Sequence, residues 1–202
     1  MSSIPLFPLH TVLYPHGRLP LRIFEPRYLD MVSDCMKSES GFGVCLIKQG
    51  AETGPAATCF ETGTYAEIID FSRQPDGLLT ITLQGKSRFR VLQTAVRRNN
   101  LLTGEIDWIS PDEAGASPEE YPLLKELYLH IVENYETFYA HEDHETVSPA
   151  LLSYRLAEFL PFDNGIKQEI LETDSAQDRL ELVKSNLMSM EIEFDTSETG
   201  MQ

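Results

Sequence analysis

The tripeptide Gly85-Lys86-Ser87 is the first group in this chain whose residue types could do chemistry, because phosphate-binding loops end in the same way. Such a loop has the pattern G-x-x-x-x-G-K-[ST] and opens a helix. Here Thr80 stands where the first glycine belongs, and the alternating residues Arg88-Phe89-Arg90-Val91 follow. Alternation predicts a strand. The sequence therefore predicts no nucleotide site.

A second candidate is the segment His141-Glu142-Asp143-His144-Glu145, in which every side chain could bind a metal ion. Histidines that bind one ion from a helix are usually four residues apart, and these are closer. Runs of charge are usually solvated surface. We therefore interpret the segment as a polar helix end or loop, and we predict no metal site and no cofactor.

The cysteines Cys35, Cys45 and Cys59 are odd in number and lack the paired spacing of a zinc site. Each lies among apolar residues, which predicts buried and reduced thiols. The chain contains no G-x-S-x-G or S-x-x-K motif. The sequence therefore predicts no catalytic residue and no enzyme activity.

Lys86, Arg88, Arg90, Arg97 and Arg98 form the one basic cluster of the sequence. Arginines that alternate along a strand can contact phosphates, so Arg88, Arg90, Arg97 and Arg98 are an alternative site for RNA. Nucleic-acid footprints usually come with a basic domain, which this chain lacks. Salt bridges to acidic helices are the preferred interpretation.

The net charge of −16 is distributed unevenly. Residues 1–111 contain 11 acidic and 11 basic side chains, whereas residues 112–202 contain 21 acidic and 5 basic ones. A surface that acidic repels nucleic acids and anionic lipids. No basic segment followed by an apolar core and no run of eighteen apolar residues occurs, so the sequence predicts neither a signal peptide nor a membrane span. We expect a cytoplasmic protein without a membrane partner.

Two patterns of periodicity divide the chain. Residues 1–110 alternate with period two, which predicts a β domain, with one early helix that begins at Pro26. Turn residues Arg73-Gln74-Pro75-Asp76-Gly77 predict a hairpin loop. The predicted strands are Phe42–Lys48, Gly63–Phe71, Leu78–Gln84, Phe89–Val96 and Leu101–Ile109.

A polar linker over residues 111–118 separates the β domain from a region with helical period. Residues 119–190 predict a bundle of about four helices, one of them from Glu119 to Tyr139 and another stopped by Pro161. Ser175, with Asp178 three residues later, predicts the start of the last helix. Residues 191–202 are an acidic tail.

The proline-rich beginning of the chain carries a family resemblance. Ile4-Pro5-Leu6-Phe7-Pro8-Leu9, Val12-Leu13-Tyr14-Pro15 and the series from Leu19 to Tyr28 resemble the start of the Lon protease N-terminal domain. Its prolines exclude one long helix and predict short edge strands. Residues 85–91 resemble a hairpin strand of that family, with Gly85 as a bulge or turn and the arginines toward solvent.

The resemblance implies an α+β fold, in which a PUA-like β-barrel or sandwich with one helix is followed by a C-terminal helical bundle. It also implies a stand-alone substrate-recognition domain, since the ATPase and Ser/Lys peptidase modules of full Lon enzymes are absent here. The implied ligand is an unfolded or extended polypeptide, bound near Phe24, Glu25, Arg27 and Tyr28 or between the two halves. An adaptor or regulator for a folded partner is the alternative, besides RNA binding, and weak homo-oligomers fit either function.

Overall fold

The computed structural model describes residues 2–110, 118–134 and 147–190. Residues 111–117 of the predicted linker, the segment His141–Glu145 and the predicted tail at 191–202 lie outside the described residues, as does the end of the helix predicted to reach Tyr139. The fold is mixed α/β, with one mainly antiparallel sheet and five α-helices in the described residues.

Five of the seven strands form a closed ring. The hydrogen-bonded order is β1-β7-β6-β5-β3, and β1 also pairs with β3, which closes the circle. The two further strands lie outside it, with β2 paired to β6 and β4 paired to β3. The strand bounds are β1 Ser2–Leu9, β2 Arg18–Ile23, β3 Phe42–Gln49, β4 Thr58–Cys59, β5 Thr62–Arg73, β6 Leu79–Val96 and β7 Leu102–Trp108.

The first strand changes partner along its length. β1 pairs with β7 from Ser2 to Leu6 and with β3 from Leu6 to Leu9. Pro5 and Pro8 therefore each lie where one side of the strand has no ladder, and a proline without an N–H is tolerated there. The expectation of a simple edge strand is wrong for β1, because the ring needs both of its sides. It is right for β2, which pairs with β6 alone.

One long strand replaces the two predicted at 78–84 and 89–96. β6 runs without interruption from Leu79 to Val96. Gly85 does not turn the chain but lies at an irregularity of the β5–β6 ladder, where the register shifts between Thr64 and Ala66, so a bulge and not a turn is present. Its N–H donates to Gly17 O and its own carbonyl accepts from His16 N–H. A Cβ at this position would collide with the carbonyl oxygen of Tyr14. Glycine is thus required here for a close crossing of two backbones.

The predicted hairpin loop joins β5 to β6. Gly77 N–H donates to Gln74 O, and Gln74 N–H donates to Leu78 O. Gly77 has φ +83°, a conformation that L side chains rarely adopt. These features define a three-residue hairpin with a glycine bulge.

The helix α1, Pro26–Ser38, covers one side of the sheet. Pro26 lies in its first turn, as predicted. Its apolar stripe packs against residues of β2, β3, β5 and β6 in a core that contains Tyr28, Met31, Val32, Cys35, Ile23, Phe42, Ala66, Ile81 and Leu83.

The remaining helices share a second core. They are α2 Pro122–Asn134, preceded by a 3-10 turn at Pro118–Glu120, α3 Pro149–Phe159, α4 Asn164–Glu172 and α5 Ala176–Ser189. The predicted cap of α5 is confirmed, because Ser175 Oγ accepts from Asp178 N–H at 3.3 Å. Tyr14, from the β1–β2 connection, is buried in this core and donates to Lys167 O at 2.8 Å.

We expect Gly85→Ala to lower the free energy of unfolding by about 3 kcal/mol or more, since relief of a backbone collision must move β6 or the Tyr14 segment. Urea unfolding followed by circular dichroism measures the change. Ser87→Ala, at an exposed position of the same strand, is the control and should shift stability by less than about 0.5 kcal/mol. Equal stabilities of the two variants would contradict the close crossing.

Candidate functional site

The structure places Gly85-Lys86-Ser87 inside β6, so strand and not helix follows Ser87. The Lys86 ammonium lies 3.2 Å from Glu67 Oε2 and 2.8 Å from Gln84 Oε1, which is the environment of a surface lysine on a sheet. In residues 2–110, 118–134 and 147–190, no three His, Cys, Asp or Glu side chains come close enough to hold a metal ion.

The segment predicted to contact a polypeptide divides into exposed and buried residues. Phe24, between β2 and α1, is 57% exposed. Arg27 and Tyr28 are each only 5% exposed. The Tyr28 ring packs on Phe7 with 4.1 Å between ring centroids. Of the four residues in this segment, Phe24 alone offers a large apolar surface to a ligand.

Arg27 holds three loops together. Its Nη1 donates to Asn100 O at 2.9 Å, and its Nη2 donates to Glu52 O and to Glu25 Oε1, both at 3.2 Å. Glu52 in turn accepts the His10 N–H at 2.7 Å. Glu25 and Arg27 therefore position the loops after β1, β3 and β6, and their contacts are internal.

Arg88 is buried, which corrects the expectation that it points to solvent. It is 5% exposed, and its Nη1 donates to Leu171 O at 2.8 Å and to Thr173 O at 3.0 Å. Its Nη2 lies 3.0 Å from Asp174 Oδ1. The preferred interpretation, a bridge to the acidic helices, is confirmed for Arg88.

The other arginines of the cluster lie apart from one another. Arg90 is exposed and faces Asp107 across the ladder. Arg97 and Arg98 are exposed in the β6–β7 loop, and the strand rise places them roughly 20 Å from Arg90. Without Arg88, the predicted RNA site is not one continuous row of cations.

Two of the three thiols are buried, as predicted, and the third is partly exposed. Cys35 and Cys45 are buried, Cys59 is intermediate, and all three are free. A hydrogen bond from Cys45 to Cys59, together with burial, raises the pKa of the Cys45 thiol. Burial also raises the pKa of Cys35. Cys35 and Cys45 are thus held in the protonated form, whereas the hydrogen bond from Cys45 lowers the pKa of the partly exposed Cys59.

Exposed aromatic and aliphatic residues were missed by the sequence analysis. Phe71, on β5, is 57% exposed. Ile69, Leu92, Val96 and Trp108 are also exposed on the sheet. The alternating pattern predicts which side chains share a face of the sheet. It does not predict how much of that face a helix such as α1 covers.

A small pocket lies between α1, β1 and the β6–β7 loop. Its volume is about 190 Å³, with Met31 and Leu101 as apolar lining and Asp30, Asp34 and Arg97 as charged lining. Sites for metabolite-sized ligands usually reach about 300–1,000 Å³. This pocket is too small to enclose such a ligand.

Solved structures share this fold. A Lon N-terminal domain protein from Xanthomonas campestris is 37% identical, with a TM-score of 0.75 over 92% of this chain and 98% of that one. The N-terminal domain of a Mycobacterium avium complex Lon protease is 18% identical and has a TM-score of 0.63. The latter likeness concerns the fold alone. The architecture is thus that of a Lon N-terminal domain.

Sequence comparison leads to the same family. The model of the ATP-dependent protease La (LON) substrate-binding domain matches residues 3–188. The chain therefore belongs to the LON substrate-binding domain family, and the predicted resemblance is confirmed.

Full-length relatives are much longer than the region they share with this chain. A Lon protease from Parabacteroides distasonis is 30% identical over 125 residues, which are 61% of this chain and 15% of that protein. One from Dictyoglomus thermophilum is 26% identical over 188 residues, 89% of this chain and 23% of that protein. The match thus covers the substrate-binding part of these relatives, and no catalytic domain is among the matched regions.

No helix in the described parts of the chain has the length and apolar composition needed to cross a membrane.

We expect Tyr28 to titrate late in alkali. Burial raises its pKa to about 12, against an ordinary value near 10. The neutral phenol is favoured in the folded state, so its contribution to stability is complete below about pH 10 and is lost as the pH rises toward about 12. Absorbance of phenolate in a pH titration should show one late-titrating group fewer in Tyr28→Phe. An unchanged titration would contradict the burial of Tyr28.

Removal of the Arg88 guanidinium should destabilise the protein. Arg88→Ala leaves Leu171 O without its donor, and we expect a loss of about 2–4 kcal/mol in the free energy of unfolding. The exposed Arg90→Ala, on the same strand, should change it by less than about 0.5 kcal/mol. Urea unfolding compares the two. If both variants resemble the wild type, Arg88 is a surface residue after all.

Proposed function

We propose that this protein is a non-catalytic polypeptide-binding module that recognises unfolded or extended segments of other proteins. The observation that carries the proposal is the match of a substrate-binding domain model to residues 3–188. The 37% identical structure that supports it bears the name of a Lon N-terminal domain protein. The proposal does not include the ATP hydrolysis or the peptide-bond cleavage of full Lon proteases.

The surface supports a ligand of this kind. Phe24 and Phe71 are both more than half exposed, and exposed aromatic side chains are frequent anchors in protein recognition. β2 ends next to Phe24, and β5 carries Phe71 on its exposed part. Strand edges with apolar side chains suit extended peptides.

RNA binding is the weaker alternative. The Arg88 guanidinium is hydrogen-bonded to carbonyls of the helical half, and the chain carries a net charge of −16. Phosphate contacts need accessible cations, and Arg90, Arg97 and Arg98 alone remain for them. An adaptor for one folded partner would use the same exposed aromatic residues, and no feature of the surface favours it.

The proposal includes the finer features of the family resemblance. A ring of five strands agrees with a PUA-like barrel, and four helices around one core agree with a C-terminal bundle. Free thiols agree with a reducing compartment such as the cytoplasm. A role in protein quality control would follow from binding of unfolded chains.

We expect a reduced, carboxymethylated protein to bind with a dissociation constant in the micromolar range or weaker, about −8 kcal/mol or smaller in magnitude. Apolar and main-chain contacts should keep this affinity within about threefold between 50 and 200 mM salt. Fluorescence anisotropy with labelled client measures it.

Single-stranded RNA, titrated in parallel, is the discriminating ligand. Binding through arginines would weaken steeply over the same salt range and would be lost in an Arg90→Ala/Arg97→Ala/Arg98→Ala variant, which leaves the structural Arg88 intact. Salt-sensitive RNA binding without affinity for unfolded protein would replace the proposal by its rival.

A further inference from the structure

One part of the sheet has two outer edges. There the first half of β6 lies between β2 and the second half of β5. The ladder to β2 runs from Arg18↔Gln84 to Ile23↔Leu79. The ladder to β5 runs from Glu67↔Gln84 to Arg73↔Leu79. Among the described residues, no strand pairs with the far side of β2, or with β5 at 67–73. Such an edge presents N–H and C=O groups that another strand can bind.

The two edges differ in their ability to accept a strand. β2 carries Pro20, opposite Thr82, and a proline has no N–H for an incoming carbonyl. A proline on an edge strand is a common device against unwanted pairing. β5 contains no proline.

The β5–β6 hairpin determines which N–H and C=O groups of β5 point away from β6. The Gln74 N–H to Leu78 O bond, 2.9 Å long, sets the alternation of the ladder. In an antiparallel pair every second residue directs its N–H and C=O away from the partner. By that alternation Ser72 and Asp70 face β6, and Phe71 and Arg73 face outward. The register of the ladder shifts between Ile68 and Asp70, so this regular alternation holds from Asp70 to Arg73.

The Asp70 side chain is hydrogen-bonded to one of these outward N–H groups. Phe71 N–H donates to Asp70 Oδ1 at 2.8 Å. The carboxylate stands where the carbonyl of a neighbouring strand would accept. Since this hydrogen bond is exposed, its exchange for another costs little free energy.

The face of the sheet beside this edge is apolar and incompletely covered. Phe71 lies opposite Ile81 in the ladder, so both side chains are on the face that packs against α1. Ile81 is 0% exposed, whereas Phe71 is 57% exposed. The helix α1 therefore covers Ile81 but leaves Phe71 exposed. Leu29 and Met36, seven residues apart on one side of α1, are exposed as well.

We propose that the unpaired edge of β5 at residues 70–73 binds an extended client segment as an added β-strand. Apolar side chains at alternate client positions pack beside Phe71, and the client backbone replaces Asp70 at the Phe71 N–H. The freed carboxylate favours a client with Lys or Arg near these positions. An extended backbone is the occupant that matches a row of outward N–H and C=O groups. This inference rests on the proposed function and gives it a site.

Synthetic peptides test the main-chain part on the wild-type protein. The probe is a labelled peptide of about ten residues with alternating Val and Thr and a Lys at each end. Two derivatives carry N-methyl groups on the Val or on the Thr residues, which removes the donors of one peptide edge each. We expect one derivative to bind about tenfold more weakly and the other within about threefold. Equal affinity of all three peptides would overturn the proposal.

Paired variants test the site. Arg73→Pro removes an outward N–H without touching the ladder to β6, and Arg73→Ala removes the same charge but keeps the N–H. We expect about tenfold weaker peptide binding for Arg73→Pro and a change below about twofold for Arg73→Ala. Phe71→Ala should cost about tenfold as well. Circular dichroism and thermal unfolding establish that each variant is folded.

The outcomes separate this site from the proposed function. Wild-type binding of carboxymethylated client that neither Arg73→Pro nor Phe71→Ala weakens would overturn the β5 site and leave the function standing. Absence of any binding of unfolded client would overturn both. A wild-type dimer that Arg73→Pro dissociates, with peptide binding unchanged, would assign the edge to a second copy of the chain and overturn the proposal.

Discussion

The buried guanidinium of Arg88 is the interaction on which the arrangement of the two halves depends. It projects from the middle of β6 and donates to the carbonyl of Leu171, in the last turn of α4, and to that of Thr173, the residue that follows the helix. Those carbonyls have no partner within the helix, and the negative end of the helix dipole lies there. Thr173 O also accepts from Arg179 Nη1 at 2.9 Å. Two arginines thus fix the α4–α5 connection, one from the sheet and one from α5.

Buried arginines serve the same purpose elsewhere in the molecule. Arg27 donates to the carbonyls of Asn100 and Glu52, and Arg155 Nη2 donates to His16 O at 3.0 Å. A guanidinium has five donors in a fixed plane and can satisfy several carbonyls at once, which the single ammonium of lysine does less well. These guanidinium groups are buried and hydrogen-bonded within the protein. The basic residues available to an anionic ligand are therefore fewer than the sequence suggests.

Local signals predicted the elements, and long-range contacts decided the site. Prolines, glycines and caps act within a few residues, so the start of α1 at Pro26, the hairpin at 73–77 and the cap at Ser175 were predictable. The burial of Arg88 depends on carbonyls 83 and 85 positions away along the chain, and no local pattern reports them. The continuity of β6 through Gly85 depends likewise on the Tyr14 segment. The exposure of Phe71 depends on where α1 ends its coverage.

The two edges beside β6 illustrate permanent and reversible protection. Pro20 removes a donor from β2 by covalent structure, and no change of conformation restores it. Asp70 occupies the outward N–H of Phe71 with a side chain, and a rotation about its own bonds releases that group. Both devices prevent indiscriminate pairing of free edges. They differ in consequence, because a carboxylate that shields a donor also competes with any ligand for it, so only a segment that adds apolar contact at Phe71 gains by the exchange. Reversible protection therefore makes β5, and not β2, the edge at which pairing can be selective.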